Sequence, residues 1–237
     1  MRRHSRRRAA AVLAVGLTAA VGASSSLASA SVTQKRSPSF AGYAVSDPGH
    51  PVRQVSATFV VPTITCVDSF SGVGPSVLVY SDVNARTGSH VTSGAGIGVA
   101  CEDGGPFYES VLIVNGRAFN DVELKAGDTV QVTVRVVPRT TRVTLDDLTS
   151  GASKTRAGQG RTGVQSFIGD NSVVVDGQSA GLDPFTSTDV SDVQVNSRPL
   201  GTQHAFRFQW VRKGHTLVSA GPLSRGEDFA LTFRSSD

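Results

Sequence analysis

The chain has 237 residues, of which 39% are hydrophobic, 18% charged and 6% aromatic, with a formal charge of +4. That apolar content supports a core and excludes a wholly disordered chain, and the length fits one β-rich domain or two small ones. A basic balance points to nucleic acid or an acidic membrane surface only where the charges lie on the folded part.

They do not. Arg2, Arg3, Arg6, Arg7 and Arg8 sit in the first eight residues, and no acidic residue precedes Asp47. The apolar run Ala9 to Val21 follows, then a small-residue stretch ending Ala28-Ser29-Ala30. This is the pattern of a signal peptide over residues 1–30, cut between Ala30 and Ser31. The run is short for a bilayer span, and no other segment approaches one. Ser5-Arg6-Arg7 fits a twin-arginine signal loosely, but only alanines follow it, which favours the general export route. Removing residues 1–30 leaves 18 basic against 19 acidic side chains, a mature charge of −1. The expected location is therefore extracellular, with neither nucleic acid nor membrane as partner of the mature form.

Ser31 to Ser39 is polar without apolar pattern and reads as a flexible lead-in. From Phe40 the period is two. Val55, Ala57, Phe59 and Val61 alternate with Ser56, Thr58 and Val60. Cys66 and Cys101 form an even pair in an exported chain, which points to a disulfide worth about 3–4 kcal/mol by chain-entropy arguments. Metal ligation or a catalytic thiol lacks a C-x-x-C or a neighbouring histidine. Gly94-Ala95-Gly96-Ile97-Gly98 lies in a strand-like run and opens no helix, so it reads as close backbone packing rather than a phosphate cradle.

Val114-Asn115-Gly116-Arg117 is a two-residue hairpin signal. Val130, Val132, Val134 and Val136 form a further alternating strand. Asp146-Asp147 sits on neighbouring positions that face opposite sides, so it reads as a strand end entering a turn, not an acid–base pair. Phe206, Phe208 and Trp210, then Phe229, Leu231 and Phe233, close the series. Other turn signals are Asp47-Pro48-Gly49, Glu102-Asp103-Gly104-Gly105, Ala126-Gly127-Asp128 and Asp176-Gly177. No amphipathic helix of ten residues survives the glycines and prolines. The fold class is all-β: a two-sheet antiparallel β-sandwich, in a single domain over residues 40–237.

H-E-x-x-H, G-x-S-x-G, P-loop and EF-hand signatures are absent from the sequence. His50, His90, His204 and His215 are scattered and polar-flanked, so neither a metal site nor a cofactor is expected. Six framework segments nevertheless follow the pattern of one family. Phe40-Ala41-Gly42-Tyr43-Ala44-Val45 is similar to W-x-G-Y-x-V, and Val55 to Pro62 through Cys66 to V-S-x-T-W-x-V-P with its cysteine. Ser76 to Asp82 takes the place of S-V-W-V-G-L-D, Leu124 to Val130 of x-x-x-G-D-x-I, and Val143 to Gly151 of a strand ending D-x-T-x-G. Gly221 to Phe229 resembles the closing P-x-x-L-x-x-x-G-x-x-F, and together these segments resemble the glutamic peptidases, or eqolisins, of the bacterial secreted type.

The resemblance implies a concanavalin-like sandwich and an acid endopeptidase. In that chemistry a glutamate serves as general base and acid, and a glutamine amide stabilises the oxyanion. The glutamine's place is Gly94 here, and the glutamate's place is Gly169. The aromatic wall Y-x-A-W-Y-E becomes Tyr108-Glu109-Ser110-Val111-Leu112-Ile113. Substitutes within the sequence are Glu109, Gln165 and Asp170, while Thr92 offers a hydroxyl only and Ser93 points away. Asp170 would face away from Gly169 unless a bulge intervenes, and Gln165 stands about 13 Å along the strand.

Three functions follow as expectations. The first is a catalytically degenerate family member, a pseudoenzyme with the fold and a binding groove. The second is an active acid endopeptidase with relocated residues. The third is a monomeric module binding extracellular polypeptide or glycan, with Tyr80, Asp82 and Tyr108 on the binding face. Trp210, alternating with Phe206 and Phe208, reads as core.

Overall fold

The computed structural model describes residues 32–46, 50–66, 77–83, 93–102, 105–160, 163, 165–171, 174–175, 178–179 and 182–236. The signal segment and the Ala30–Ser31 cut lie outside these residues, as do the Asp47-Pro48-Gly49 and Asp176-Gly177 turns, Thr92 and His90. In chain order the strands are β1 (Thr33–Ser37), β2 (Phe40–Ser46), β3 (Gln54–Val60), β4 (Val77–Val83), β5 (Ser93–Glu102) and β6 (Gly105–Val114). Next come β7 (Arg117–Phe119), β8 (Thr129–Val137), β9 (Thr140–Asp147), β10 (Ser153–Gln159), β11 (Gln165–Asn171) and β12 (Val174–Val175). The last are β13 (Gln178–Ser179), β14 (Thr188–Val195), β15 (Arg198–Pro199), β16 (Ala205–Arg212), β17 (His215–Ala220) and β18 (Phe229–Phe233). A 3-10 turn at Leu200–Thr202 is the only helical element among the described residues.

Alternation makes the first layer. Val130, Val132, Val134 and Val136 on β8 are buried while Gln131, Thr133 and Arg135 stand out of the core. Val55, Ala57 and Phe59 on β3, and Val143 and Leu145 on β9, do the same. A side chain of this size gives about 1.5–3 kcal/mol when fully buried, so one face of each strand is held inward. A hydrogen-bonded path runs β10-β9-β8-β3-β14-β18-β17-β16-β2-β11-β4-β5-β6-β7. Its two ends close on each other, with β5 and β6 packed against β8 and β9. This is the expected β-sandwich.

The layers meet in β16. Its first half, Ala205–Phe208, pairs with β2, and its second half, Gln209–Arg212, pairs with β17, with a register shift between Trp210 and Val211. Strand β1 runs parallel along the other edge, Thr33 beside Phe206 through to Ser37 beside Trp210. The lead-in expected to be flexible is therefore a paired strand over Thr33–Ser37. Its side chains are mostly exposed, so backbone bonds to the edge of β16 hold it, and these leave no apolar period to read.

Local signals behave as the residues require. Asn115 and Gly116 take φ of 53° and 78°, the left-handed pair that a two-residue hairpin needs. Asp147 is buried and accepts from the backbone N–H of Thr149 at 2.9 Å and of Ser150 at 3.2 Å, and from the Ser150 hydroxyl. Burial alone would raise its carboxyl; the bonds from Ser150 and Thr149 outweigh it and hold the group below its ordinary value. The Asp146-Asp147 pair is thus a strand end and turn. Cys66 and Cys101 form the disulfide, tying the segment after β3 to the end of β5.

Candidate functional site

On the second layer, residues of odd and even number face opposite ways. Ala95, Ile97 and Val99 of β5 join the main core, as do Tyr43 of β2 and Ile168 of β11. Gly94, Gly96, Gly98 and Gly169 lie on the other face, together with Phe40 and Gly42. Cross-strand register aligns Phe208, Gly42, Gly169, Tyr80, Gly96 and Val111 as one row over six strands. Gly94 pairs with Asp82, one two-residue step from that row. The two positions assigned to the family's glutamine and glutamate thus share a face, with β4 between them.

The backbone at this row is unusually close. Gly42 and Gly169 are cross-strand partners with φ of +145° and +152°, values that side chains rarely adopt. A Cβ added to Gly169 would stand 2.1 Å from the Ala41 carbonyl oxygen and 2.7 Å from the Gly42 Cα. One added to Gly42 would stand 2.2 Å from the Ile168 carbonyl oxygen and 2.9 Å from the ring of Phe40. That ring is buried and packs edge-on against Phe167 at 5.4 Å and Phe208 at 5.7 Å between centroids. Phe206 extends the apolar surface, with the Lys35 ammonium 3.6 Å from its ring centroid. The Phe40 ring covers Gly42.

The substitute residues are not brought together. Asp170 is fully buried on the core side, beside Ile168 and Ser166, facing away from Gly169 as alternation requires. Gln165 shares the face of Gly169 but pairs with Ser46, about 13 Å away along β11. Glu109 of β6 pairs with Gly98 of β5 and stands three strand spacings (about 14 Å) across from β11. It accepts a hydrogen bond from the Asn120 side-chain amide. Burial, and secondarily the charge of Glu102, raises its carboxyl above the ordinary value. Glu109 with Asn120 is therefore a carboxyl–carboxamide contact on the same face, one two-residue step from Val111 of the row but three strands across from Gly169.

Tyr108 lies on the face opposite Glu109 and packs against the core, which removes it from the binding face expected for it. Trp210 is buried in the main core as expected, but Phe206 and Phe208, of the same parity, stand half-buried on the other face, because β16 passes from one layer to the other between them. The side chains of Tyr80 and Asp82 fall outside the described residues. Sequence reading did not anticipate the Phe40–Phe167–Phe208 cluster, although Phe40 and Phe208 were each placed on strands. Its signal is the cross-strand register, which no single segment carries. Asp192, Glu227 and Asp228 bring carboxylate oxygens within 4.8 Å of one another, with Arg225 paired to Asp228 at 2.7 Å.

The chain matches the model of the Peptidase A4 family over residues 38–227. It belongs to that family. Among solved structures it is similar to scytalido-glutamic peptidase bound to a transition-state analog inhibitor, with TM-score 0.65 and 14% identity, covering 84% of this chain and 100% of that one. SCP-B, an eqolisin in complex with the tripeptide Ala-Ile-His, gives TM-score 0.61 and 15% identity over 84% of this chain and 100% of the other. Aspergilloglutamic peptidase from Aspergillus niger gives TM-score 0.57 and 17% identity over 67% and 98%. No curated protein matches the chain. At these identities the structures establish a shared fold. Among the described residues no helix is long and apolar enough to cross a membrane.

Proposed function

We propose that this Peptidase A4 family member is an exported, catalytically degenerate protein that keeps the sandwich and a polypeptide-binding face but does not hydrolyse peptide bonds. The observation that carries the reading is the backbone of Gly169. A general base must project from that position towards substrate, yet a Cβ there meets the Ala41 carbonyl oxygen at 2.1 Å. Gly94 likewise offers no side-chain carboxamide to an oxyanion. Without a base for water or a donor for the tetrahedral intermediate, both large contributions to acyl hydrolysis are missing. Export rests on the N-terminal pattern and agrees with the disulfide.

One observation favours a second reading, an acid endopeptidase with relocated groups: the raised carboxyl of Glu109 in contact with Asn120. A carboxyl of raised pKa is suited to holding a proton at mildly acidic pH. The two readings separate in one assay. Denatured casein incubated with the purified protein between pH 2 and 6 remains intact under the first. New peptide termini that vanish in Glu109→Gln would establish the second.

A further inference from the structure

On the face of β16 opposite Phe206 and Phe208 lies an open trough of about 600 Å³. Four strands supply its floor in register: Arg36 beside Gln209, Gln209 beside Ser219, and Ser219 beside Thr232. These span β1, β16, β17 and β18, three strand spacings or about 14 Å. Arg36 stands at one end, and Arg234 rises from just beyond β18 at the other. Both arginines are exposed. The Arg234 Nε–H donates to the Ser219 hydroxyl at 2.8 Å, and the Gln209 amide donates to the Ala220 carbonyl at 3.0 Å. Gln34, in the same wall, accepts from Arg207.

No carboxylate and no aromatic ring is among the residues lining the trough. Neither guanidinium has a carboxylate partner among the described residues, so two positive charges stand over a floor of hydroxyls and amides in a chain whose mature charge is −1. Guanidinium groups pair with oxyanions through planar, bidentate contacts. Hydroxyl and amide floors match a hydroxyl-rich ligand. The lack of an aromatic platform argues against a neutral sugar, which would stack, and the lack of deep apolar pockets argues against a peptide anchored by its side chains.

We propose that this trough binds an acidic polysaccharide, with Arg36 and Arg234 taking carboxylates of the chain and Gln209, Ser219 and Thr232 facing its hydroxyls. The site is separate from the glycine row and does not depend on whether that row is catalytic. It also gives β1 a use: the strand carries one of the two arginines.

The test is calorimetric titration of the purified protein with polygalacturonate, with neutral dextran and polyglutamate run alongside. Binding that weakens with added salt is expected, absent for dextran and stronger than for polyglutamate. The double variant Arg36→Gln/Arg234→Gln should weaken binding by about tenfold or more. Arg142→Gln, an exposed arginine on β9, should leave it unchanged. Melting curves of the variants check that β1 remains docked. No binding of polygalacturonate, equal loss in the Arg142 variant, or polyglutamate binding as tightly would each overturn the proposal.

Discussion

The two layers of the sandwich are built by opposite means. In β3, β8 and β9 the positions are set by what is present: Val55, Phe59, Val130, Val132, Val134, Val143 and Leu145 fill one side while polar residues stand on the other. Where β2 meets β11 the positions are set by what is absent, since Gly42 and Gly169 approach so closely that neither has space for a methyl group. The first kind of layer tolerates small changes in side-chain volume by local relaxation. The second does not, because its contacts are backbone on backbone. A catalytic side chain needs a strand that can present it, and the close-packed arrangement removes that capacity at Gly169.

Substitutions sharpen this contrast. Gly42→Ala should be the most damaging, at roughly 4 kcal/mol, because strain at a φ of +145° adds to overpacking against the Ile168 carbonyl. Denaturant unfolding measures it, and a loss below about 1 kcal/mol would mean the two strands can separate freely. Leu145→Ala in the opposite layer removes three carbons yet should cost less, about 3 kcal/mol. If it costs more than the added methyl at Gly42, the distinction between the layers fails.

Asp147→Ala should follow at about 2 kcal/mol near neutral pH, through loss of the turn bonds to Thr149 and Ser150. Its carboxyl is held below the ordinary 3.8. The stabilisation is therefore full above that value and is lost as pH falls through the lower folded value. Wild type and variant should converge in unfolding curves taken towards pH 2; a constant gap would assign the effect to packing instead.

Glu109→Gln is the smallest change and has the opposite sign. The carboxyl is raised above 4.5 in the fold, so its ionised form opposes folding. Stability from this group is present below 4.5 and declines as pH rises through the folded value. The variant should melt slightly higher than wild type at pH 7 and equally at pH 3. A lower melting point at pH 7 would show that the Asn120 contact outweighs burial.

Much of the first layer was readable from residues alone, because each strand there advertises its buried face with period two. The hairpin at Asn115-Gly116, the turn at Asp147 and the Cys66–Cys101 bond were legible for similar reasons: each depends on residue types close in sequence or on a unique pair. Strand β1 was not, since TQKRS is held by its backbone and shows no periodicity. The framework motifs single out Gly94 and Gly169 only as an expectation, and the reason Gly169 must be glycine lies in Ala41 and Gly42, some 127 residues earlier. The inward face of Tyr108 was missed because burial of that strand depends on Ser110 and Leu112 facing the core. The trough at Arg36, Gln209, Ser219 and Thr232 joins four separate segments, and only register reveals it.

The measurement that reaches the central claim most directly is the stability and acid-pH activity of Gly169→Glu, which places a carboxylate at the position we propose for the family's general base. A glutamate that cannot be accommodated should unfold the protein or cost roughly 4 kcal/mol, with no cleavage of denatured casein. A variant as stable as wild type that cuts casein at acid pH would contradict the account: Gly169 would then be a residue lost from an otherwise open site.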